Sequence, residues 1–278
     1  MLNYNQFSVL EALATGKDVN KNEVFRELAD NGLVNDAGIT QKGLEALKPY
    51  KVRRAVFFAA GFGSRMVPAT LDTPKPLIDI KGVRLIDTLL DAVLKAGIEE
   101  IYIVRGYLAE KFEKLSEKYP QIKFIENPKY NEANNISSAY LAGELLANAY
   151  VLEADLYLYN PQLISPYQYR SNYLGVPTEK TDDWCFKADK DMKITELLTR
   201  GEDCCHMYGI SYWTEADGKR LAGHIRELFG REDGKQLYWD EVALKYFKNE
   251  YEVYVRPCTF DDIIEIDTYE ELCALRGE

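Results

Sequence analysis

A glycine-containing loop, FFAAGFGSRMVPATLDTPKPL, carries residue types suited to holding an anion. Gly61 and Gly63 permit turns that side chains would block, and they let backbone amides approach an anion closely. Arg65 follows them, and Lys75 lies between two prolines that restrict the backbone. The spacing matches neither the P-loop nor the dinucleotide fingerprint, because Met66 stands where the third glycine of the fingerprint belongs. The glycines alone are equally typical of an ordinary turn, whereas the two cations beside them favour phosphate binding.

Two hydrophobic segments further along the chain end in carboxylates. VLEAD ends at Asp155, and DIIEID ends at Asp267 with Glu265 two residues earlier. Because side chains alternate along a strand, Glu265 and Asp267 should face the same side. Carboxylate oxygens and phosphates are the ligands that magnesium prefers. An acid in this place can also cap a helix, and Asp267 precedes Thr268 as a cap would. The residues alone leave both interpretations open.

Strands and helices alternate from Val52 onward. Strands are predicted at Arg53–Ala60, Ile101–Val104, Ile122–Ile125 and Tyr150–Asp155, and helices at Leu85–Ala96, near Ala109–Lys118 and near Ser137–Ala147. Such alternation indicates a mostly parallel sheet covered by helices. Ligands of these sheets bind beyond the carboxyl ends of the strands, and the glycine-containing loop begins at such an end.

The chain is predicted to divide near Pro49, into a module at residues 1–50 and a larger domain at residues 51–278. The module should contain two short helices, one or two short strands, and a third helix that Thr40 opens. This order resembles a winged helix-turn-helix. Five basic residues against seven acidic ones give the module a net charge of −2. DNA binding is therefore not expected, because a wing that contacts DNA should be basic.

The composition of the whole chain excludes further classes. It has 278 residues and a net charge of −11, which argues against nonspecific nucleic-acid binding. No apolar run reaches the roughly 18 residues of a membrane span, and the N-terminus lacks the regions of a signal peptide, so we expect a cytoplasmic protein without membrane association. Five cysteines without CxxC pairs and two histidines favour reduced thiols over disulfides or structural zinc. The sequence leaves a homo-oligomer open.

The loop is similar to the signature loop of nucleotidyltransferases with a glycosyltransferase-A-like fold. Further motifs resemble those of bacterial CTP:phosphocholine cytidylyltransferases, namely ENPKYNEANNISSAYLA, VLEADLYL, SNYLGVPTEKTDDWCF, HMYGISYW, YWDEVAL and DIIEID. The resemblance runs from about residue 53 to the end and leaves the first 50 residues outside it. It implies a Rossmann-like α/β fold of the nucleotide-diphospho-sugar transferase type, with a mixed, mostly parallel sheet between helices. It also implies transfer of CMP from CTP to phosphocholine, with release of pyrophosphate.

The resemblance implies roles for single residues. Asp155 and Asp267 would be the ligands of a Mg²⁺ cofactor, and Lys75 and Arg65 would be catalytic cations. The implied nucleotide-binding residues are Ala60, Gly61, Gly63, Ser64, Asn135 and Ser137. Loop amides would hold the triphosphate, while amide and hydroxyl groups would take part in reading cytosine.

Phosphocholine carries a quaternary ammonium, which cannot donate a hydrogen bond and is recognised by aromatic faces and nearby carboxylates. The candidates for this role are Trp184, Tyr238, Trp239, Asp240 and Glu265. Aromatic rings more commonly pack in a core. Since neighbours on a strand point in opposite directions, Trp239 could face inward while Tyr238 faces the ligand.

Two other functions stay open at this point. A nucleotidyltransferase for a sugar 1-phosphate or phosphoethanolamine would not need a cage of aromatic faces. A transcription regulator would bind DNA through residues 1–50 and use the larger domain only to sense a nucleotide or a choline ester. The acidic module argues against the regulator, and the presence of Lys75, Asp155 and Asp267 argues for chemistry.

Overall fold

The computed structural model describes residues 1–277, which form two compact units. The first unit consists of Met1–Val52 together with Ser165–Tyr169, which we call the returning segment. The second unit consists of Arg53–Ile164 and the residues from Arg170 onward. No helix within residues 1–277 has the length and apolar character needed to cross a membrane.

The first unit contains three helices and a short hairpin, in the order that the sequence predicts. Its elements are α1 (Tyr4–Ala14), α2 (Glu23–Asp30), β1 (Val34–Asn35), β2 (Gly38–Ile39) and α3 (Gln41–Leu47), and β1 pairs with β2 antiparallel. Thr40 caps α3 as predicted, because its side chain accepts a hydrogen bond from the amide of Gly43. The assignment to the winged-helix class stays a prediction.

The returning segment adds to the first unit both backbone pairing and aromatic surface. The amide of Val52 donates to the carbonyl of Pro166, and the amide of Gln168 donates to the carbonyl of Tyr50, both at 2.9 Å. The ring of Tyr169 stacks on that of Tyr50, with centroids 5.4 Å apart. The sequence does not reveal this arrangement, because the pairing joins residues more than a hundred positions apart.

Within the described residues, the second unit is built around a nine-stranded sheet with two small two-stranded sheets beside it. Its strands are β3 (Arg54–Ala59), β4 (Asp79–Ile80), β5 (Val83–Arg84), β6 (Glu100–Arg105), β7 (Ile122–Glu126), β8 (Ala149–Glu153), β9 (Leu156–Leu158), β10 (Asn172–Thr181), β11 (Cys185–Ala188), β12 (Ile194–Leu198), β13 (Gly201–Trp213), β14 (Tyr254–Pro257) and β15 (Ile263–Glu265). In the order β12-β11-β13-β8-β3-β6-β7, the neighbouring strands β8, β3, β6 and β7 are parallel, and β10 pairs with β13 and β14. Every residue of β3 is buried, which suits a central strand. The mixed, mostly parallel sheet is as predicted.

The helices of the second unit alternate with strands as predicted, and some of the α-helices are shorter than predicted. They are α4 (Leu85–Lys95), α5 (Leu115–Lys118), α6 (Ile136–Ala142), α7 (Glu215–Phe229), α8 (Trp239–Glu241) and α9 (Tyr269–Arg276). A 3₁₀ turn precedes α5 and another follows α6. The helices predicted near Ala109–Lys118 and near Ser137–Ala147 are therefore each part α-helix and part 3₁₀-helix. Hydrophobic residues of α6 and α7 share one core with β3 and β8. The five cysteines are free thiols, as predicted.

Two glycines of α7 provide a matched test of this packing. A Cβ added at Gly218 would lie 2.3 Å from the carbonyl oxygen of Leu146 and 2.5 Å from Cα of Ala147, whereas one added at Gly223 meets nothing within 4 Å. We expect Gly218→Ala to lower the free energy of unfolding by about 1 to 3 kcal/mol, because backbone cannot move aside as a side chain can. Gly223→Ala should leave it unchanged or raise it by up to about 1 kcal/mol through helix propensity. Urea denaturation of both variants measures the difference, and equal stabilities would contradict the close approach of α7.

Candidate active site

A cleft of about 670 Å³ opens in the second unit at the carboxyl ends of β3 and β8. Fourteen predicted site residues line it, namely Ala60, Gly61, Gly63, Ser64, Arg65, Lys75, Asn135, Ser137, Asp155, Trp184, Tyr238, Asp240, Glu265 and Asp267. Trp239 is absent from this lining. The sheet thus brings together residues that are up to about two hundred positions apart in sequence, where ligands of parallel sheets bind.

The loop after β3 is shaped by Gly63 and its neighbours. Gly63 has φ +61°, and a Cβ there would lie 3.0 Å from Cγ2 of Thr70 and 3.1 Å from Cβ of Lys75. Both the backbone angle and the close approach therefore favour glycine at this position. The Thr70 hydroxyl donates to the Gly63 carbonyl at 2.9 Å, and the Tyr107 hydroxyl donates to the carbonyls of Thr70 and Leu71 at 3.0 Å each. These bonds hold the loop against the cleft.

Lys75 is the centre of an ion cluster. Its Nζ lies 3.0 Å from Oδ2 of Asp155 and 2.9 Å from Oδ1 of Asp267, and Nη2 of Arg65 reaches the same Asp267 oxygen at 2.9 Å. Lys75 is 8% exposed, whereas the Arg65 side chain is 69% exposed. Burial opposes the charge on Lys75, but the two carboxylates outweigh it and hold the pKa of Lys75 above its ordinary value. The ammonium is therefore a fixed positive charge.

Three carboxylates of the cleft fit a divalent cation. Asp155, Glu265 and Asp267 each offer an oxygen, and these oxygens lie within 4.8 Å of one another. Oδ1 of Asp155 is buried without a hydrogen-bond partner, so it has a lone pair available for a ligand. Burial, and then the charges of the two aspartates, raise the pKa of Glu265 well above its usual range. An all-oxygen, acidic set of this kind suits Mg²⁺.

Local backbone pairing places these acids together. Asp155 lies in the turn between β8 and β9, and β9 pairs antiparallel with β15, which ends at Glu265. Asp267 follows two residues later. The cap of α9 is Thr268, whose hydroxyl accepts from the amide of Glu271 at 3.2 Å. The alternative that Asp267 caps this helix is therefore excluded, and its carboxylate is directed to Lys75 and Arg65 instead.

Two of the three predicted aromatic rings meet in the cleft. The centroids of Trp184 and Tyr238 are 5.2 Å apart, at 59° to each other, and Tyr238 is 42% exposed. We call this pair the aromatic corner. Trp239 is 1% exposed and packs edge-on against Phe58 and Trp213. The expectation that Trp239 contacts a ligand is corrected here: its indole is part of the hydrophobic core.

Asp240 is buried beside the aromatic corner. The hydroxyl of the buried Tyr173 donates a hydrogen bond to Oδ1 of Asp240 at 2.7 Å. Burial raises the pKa of Asp240 to about 7, although the bond from Tyr173 acts in the opposite direction. The carboxyl is therefore close to the balance between its neutral and charged forms at neutral pH, where a nearby cation would favour the charged form.

Glu153 and Asn127 also line the cleft, although neither was among the predicted site residues. Burial, and then the charges of Asp240, Asp155 and Glu265, raise the pKa of Glu153 well above its usual range. Asn127 is buried and donates to the hydroxyls of Ser137 and Ser138 at 2.9 and 3.1 Å. The alternation of side chains along VLEAD could have indicated Glu153, since it precedes Asp155 by two residues.

The chain is similar to known nucleotidyltransferases. The family model of the MobA-like NTP transferase domain matches residues 55–172. The chain is 38% identical over 223 residues to the 2-aminoethylphosphonate cytidylyltransferase of Lancefieldella rimae, an alignment that covers 79% of this chain and 90% of the relative. It is 32% identical over 219 residues to the choline-phosphate cytidylyltransferase of Streptococcus pneumoniae, with 78% of this chain and 94% of the relative covered.

A solved structure extends the comparison to three dimensions. The CTP:phosphocholine cytidylyltransferase of Streptococcus pneumoniae superposes with a TM-score of 0.75 and 31% sequence identity, covering 82% of this chain and 98% of that one. Identity above 30% over most of the length of these relatives accompanies the same fold. The chain therefore belongs to the cytidylyltransferase family of nucleotidyltransferases, built on a MobA-like NTP transferase domain.

Proposed function

We propose that the protein transfers CMP from CTP to phosphocholine and forms CDP-choline and pyrophosphate, with Mg²⁺ as cofactor. The observation that carries this proposal is the aromatic corner, which lines the same cleft as the Lys75 ion cluster. Ring faces attract a quaternary ammonium, and each well-placed ring contributes about 0.5 to 2 kcal/mol. The carboxyl groups of Asp240, which is buried, and of Glu265 line the same cleft.

The reaction is a direct displacement at phosphorus. A phosphate oxygen of phosphocholine attacks the α-phosphorus of CTP in line, forming a new P–O bond as the bond to the oxygen that bridges the α- and β-phosphates breaks. Pyrophosphate leaves with that oxygen. The nucleophile is already an anion, so neither a general base nor a covalent enzyme intermediate is required. Lys75 and Arg65 neutralise the negative charge of the reacting phosphates, and the burial of Lys75 makes its charge act through a medium less polar than water.

Asp155, Asp267 and Glu265 are the residues that would hold Mg²⁺. When bound, the ion would supply positive charge that screens the repulsion between the phosphate groups of the two substrates. The loop from Ala60 to Ser64 supplies backbone amides for the triphosphate, and the shape of Gly63 keeps these amides at the cleft.

A second acceptor, 2-aminoethylphosphonate, is favoured by the 38% identity to the enzyme named for it. Its primary ammonium donates hydrogen bonds, and the carboxyls of Glu153, Asp240 and Glu265 are acceptors for them. Phosphoethanolamine carries the same ammonium, whereas glucose 1-phosphate carries no cation. The aromatic corner therefore favours phosphocholine, and the carboxyls serve any of the cationic acceptors.

An acceptor panel tests the proposal. Pyrophosphate release is measured with each of the four nucleoside triphosphates and with phosphocholine, 2-aminoethylphosphonate, phosphoethanolamine or glucose 1-phosphate. We expect CTP with phosphocholine to give the highest kcat/KM. Trp184→Ala should raise the KM for phosphocholine by roughly tenfold through loss of a ring contact. Tyr246→Ala, which removes an exposed ring outside the cleft, is the control. A higher kcat/KM for 2-aminoethylphosphonate, together with an unaffected Trp184→Ala variant, would assign the second acceptor.

Removal of the buried ammonium should impair turnover more than nucleotide binding. We expect Lys75→Ala to lower kcat by roughly 10² to 10³, the range found when one group that stabilises transition-state charge is deleted. The dissociation constant of CTP, measured by calorimetry, should change much less. Lys111→Ala removes an exposed lysine outside the cleft and serves as the control. A near-normal kcat in Lys75→Ala would exclude the catalytic role.

The metal assignment can be tested without turnover. Mn²⁺ titration followed by electron paramagnetic resonance, with CTP present and no acceptor, reports metal binding directly. Asp155→Asn removes one negative ligand, and we expect it to weaken Mn²⁺ binding by at least roughly tenfold. Asp72→Asn neutralises an exposed aspartate of the loop that does not line the cleft, and it should bind as the unmodified protein does. Equal Mn²⁺ affinity in both variants would remove Asp155 from the metal site.

A further inference from the structure

The glycine-containing loop has few buried side chains of its own. Between residues 61 and 73, the buried residues are Met66 and Thr70. The backbone amides of Met66, Ala69 and Leu71 donate to carbonyls three residues earlier, so these bonds stay within the loop. A segment with little burial and mostly local hydrogen bonds opens more readily than the sheet beside it. The contacts that join the loop to the rest of the second unit therefore determine how well it is held.

Tyr107 contacts the loop near both of its ends. This residue lies two positions beyond the end of β6, and its backbone amide donates to the carbonyl of Ala60 at 3.1 Å. Its hydroxyl donates to the carbonyls of Thr70 and Leu71, so one proton is shared between two acceptors. The hydroxyl of Thr70 continues this connection to the carbonyl of Gly63. Tyr107 is thus linked to the glycine turn through the far end of the loop.

Two other contacts hold the middle of the loop. Met66 is buried in a hydrophobic cluster that includes Leu85 and Leu272. Arg65 pairs with Asp267, but its side chain is 69% exposed, and ion pairs in solvent contribute little to stability. The ends of the loop therefore depend on Tyr107 more than its middle does.

The ring of Tyr107 also packs against a side chain of the loop. The ring centroid of Phe62 lies 5.2 Å from that of Tyr107 and 5.2 Å from that of Tyr130. Gly106 permits this grouping, because a Cβ at Gly106 would lie 2.6 Å from Cβ of Tyr130. Phe62 and Tyr130 line the cleft, whereas Tyr107 is absent from its lining. An influence of Tyr107 on a ligand in the cleft must therefore pass through the loop.

We propose that Tyr107 is a positioning residue for nucleotide binding, and that its hydroxyl holds residues 60–64 in the arrangement that lines the cleft. This rests on the proposed function only in placing the triphosphate of CTP against the amides of those residues. Without the hydroxyl, the loop occupies this arrangement for a smaller fraction of the time, and the apparent affinity for CTP falls by that fraction. Trp184 and Tyr238 lie outside the loop, so binding of the acceptor is affected little.

The first test measures opening of the loop in the absence of nucleotide. Trypsin can cleave after Arg65, but the next residue, Met66, is buried, so the loop has to open first. Cleavage after Arg200, in the exposed turn between β12 and β13, is the internal reference. Tyr107→Phe keeps the ring and removes the hydroxyl. We expect it to raise the rate of cleavage after Arg65, relative to Arg200, by roughly three- to tenfold, the population change that one hydrogen bond causes.

The second test measures CTP binding by calorimetry in the presence of Mg²⁺. We expect Tyr107→Phe to raise the dissociation constant of CTP by roughly three- to tenfold, through the smaller fraction of binding-competent loop. Turnover should show a higher KM for CTP, with kcat and the KM for the acceptor unchanged, because Lys75 keeps its bonds to Asp155 and Asp267. A solely structural role would change kcat and both KM values together.

Two further variants complete the comparison. Tyr107→Ala also removes the ring beside Phe62 and should have the larger effect on CTP. If it does not fold, as judged by circular dichroism, Tyr107→Phe still decides the role of the hydroxyl. Tyr246→Phe removes the hydroxyl of an exposed ring outside the cleft, and it should behave as the unmodified protein in both tests.

The outcomes separate this inference from the proposed function. Unchanged cleavage after Arg65 in Tyr107→Phe overturns the inference and leaves phosphocholine transfer intact. Faster cleavage with unchanged CTP affinity also overturns it, because opening of the loop would then have no consequence for the nucleotide. If the acceptor panel selects another acceptor, the assignment of phosphocholine fails, and a weaker affinity for CTP in Tyr107→Phe still supports the inference. Failure of the unmodified protein to bind CTP overturns both.

Discussion

The second unit has to accommodate repulsion between carboxyl groups that share one cleft. Six of them line it, namely Glu153, Asp155, Asp183, Asp240, Glu265 and Asp267. At separations near 4 Å, two unit charges repel each other by about 4 kcal/mol when the effective dielectric constant is near 20. The buried ammonium of Lys75 and the exposed guanidinium of Arg65 each offset part of this repulsion. The raised pKa values of Glu153, Asp240 and Glu265 reflect the same repulsion together with burial, and a bound metal ion or ammonium group would favour the charged forms of these carboxyls.

This arrangement depends on short pieces of backbone more than on the large sheet. The pairing of β9 with β15 joins the segments that carry Asp155 and Glu265. Thr268 takes over the capping of α9 and thereby leaves the carboxylate of Asp267 to the cleft. Gly63 allows a backbone bend that other residues rarely adopt, and Gly209 leaves space for the Glu153 side chain, which a Cβ at residue 209 would obstruct. The sheet supplies a rigid frame, and these local features decide which functional groups meet.

Periodicity and local signals account for much of the agreement between sequence and structure. The alternation of strand and helix after residue 52 predicted the parallel part of the sheet, because buried strands and amphipathic helices have different hydrophobic periods. The motif resemblance predicted that Lys75, Asp155 and Asp267 belong to one site. In the structure, Nζ of Lys75 lies about 3 Å from a carboxylate oxygen of each aspartate. Their roles in catalysis and metal binding remain proposals.

The structure differs from the prediction where long-range packing determines the direction of a side chain. The sequence predicts Tyr238 and Trp239 as neighbours on a strand, whereas Trp239 begins a short helix that Tyr238 caps. Packing against Phe58 and Trp213 directs the indole of Trp239 inward. Asn135 lines the cleft as predicted, and its role in nucleotide binding stays a prediction. Its partners, Glu153 and the amide of Trp239, come from other parts of the chain, and no local pattern specifies them.

The returning segment has a consequence for dissecting the chain. Tyr167 and Tyr169 pack against the hydrophobic residues of the first unit, and the Ser165 hydroxyl donates to Glu11 at 2.6 Å. Deleting the first 52 residues would therefore leave behind an uncovered strip of tyrosines, with unpaired backbone groups beside it, in the middle of the truncated polypeptide. Such a surface invites self-association. Dividing the gene near codon 52 would therefore not give two intact units. The first unit also needs the returning segment, which is synthesised only after more than half of the polypeptide.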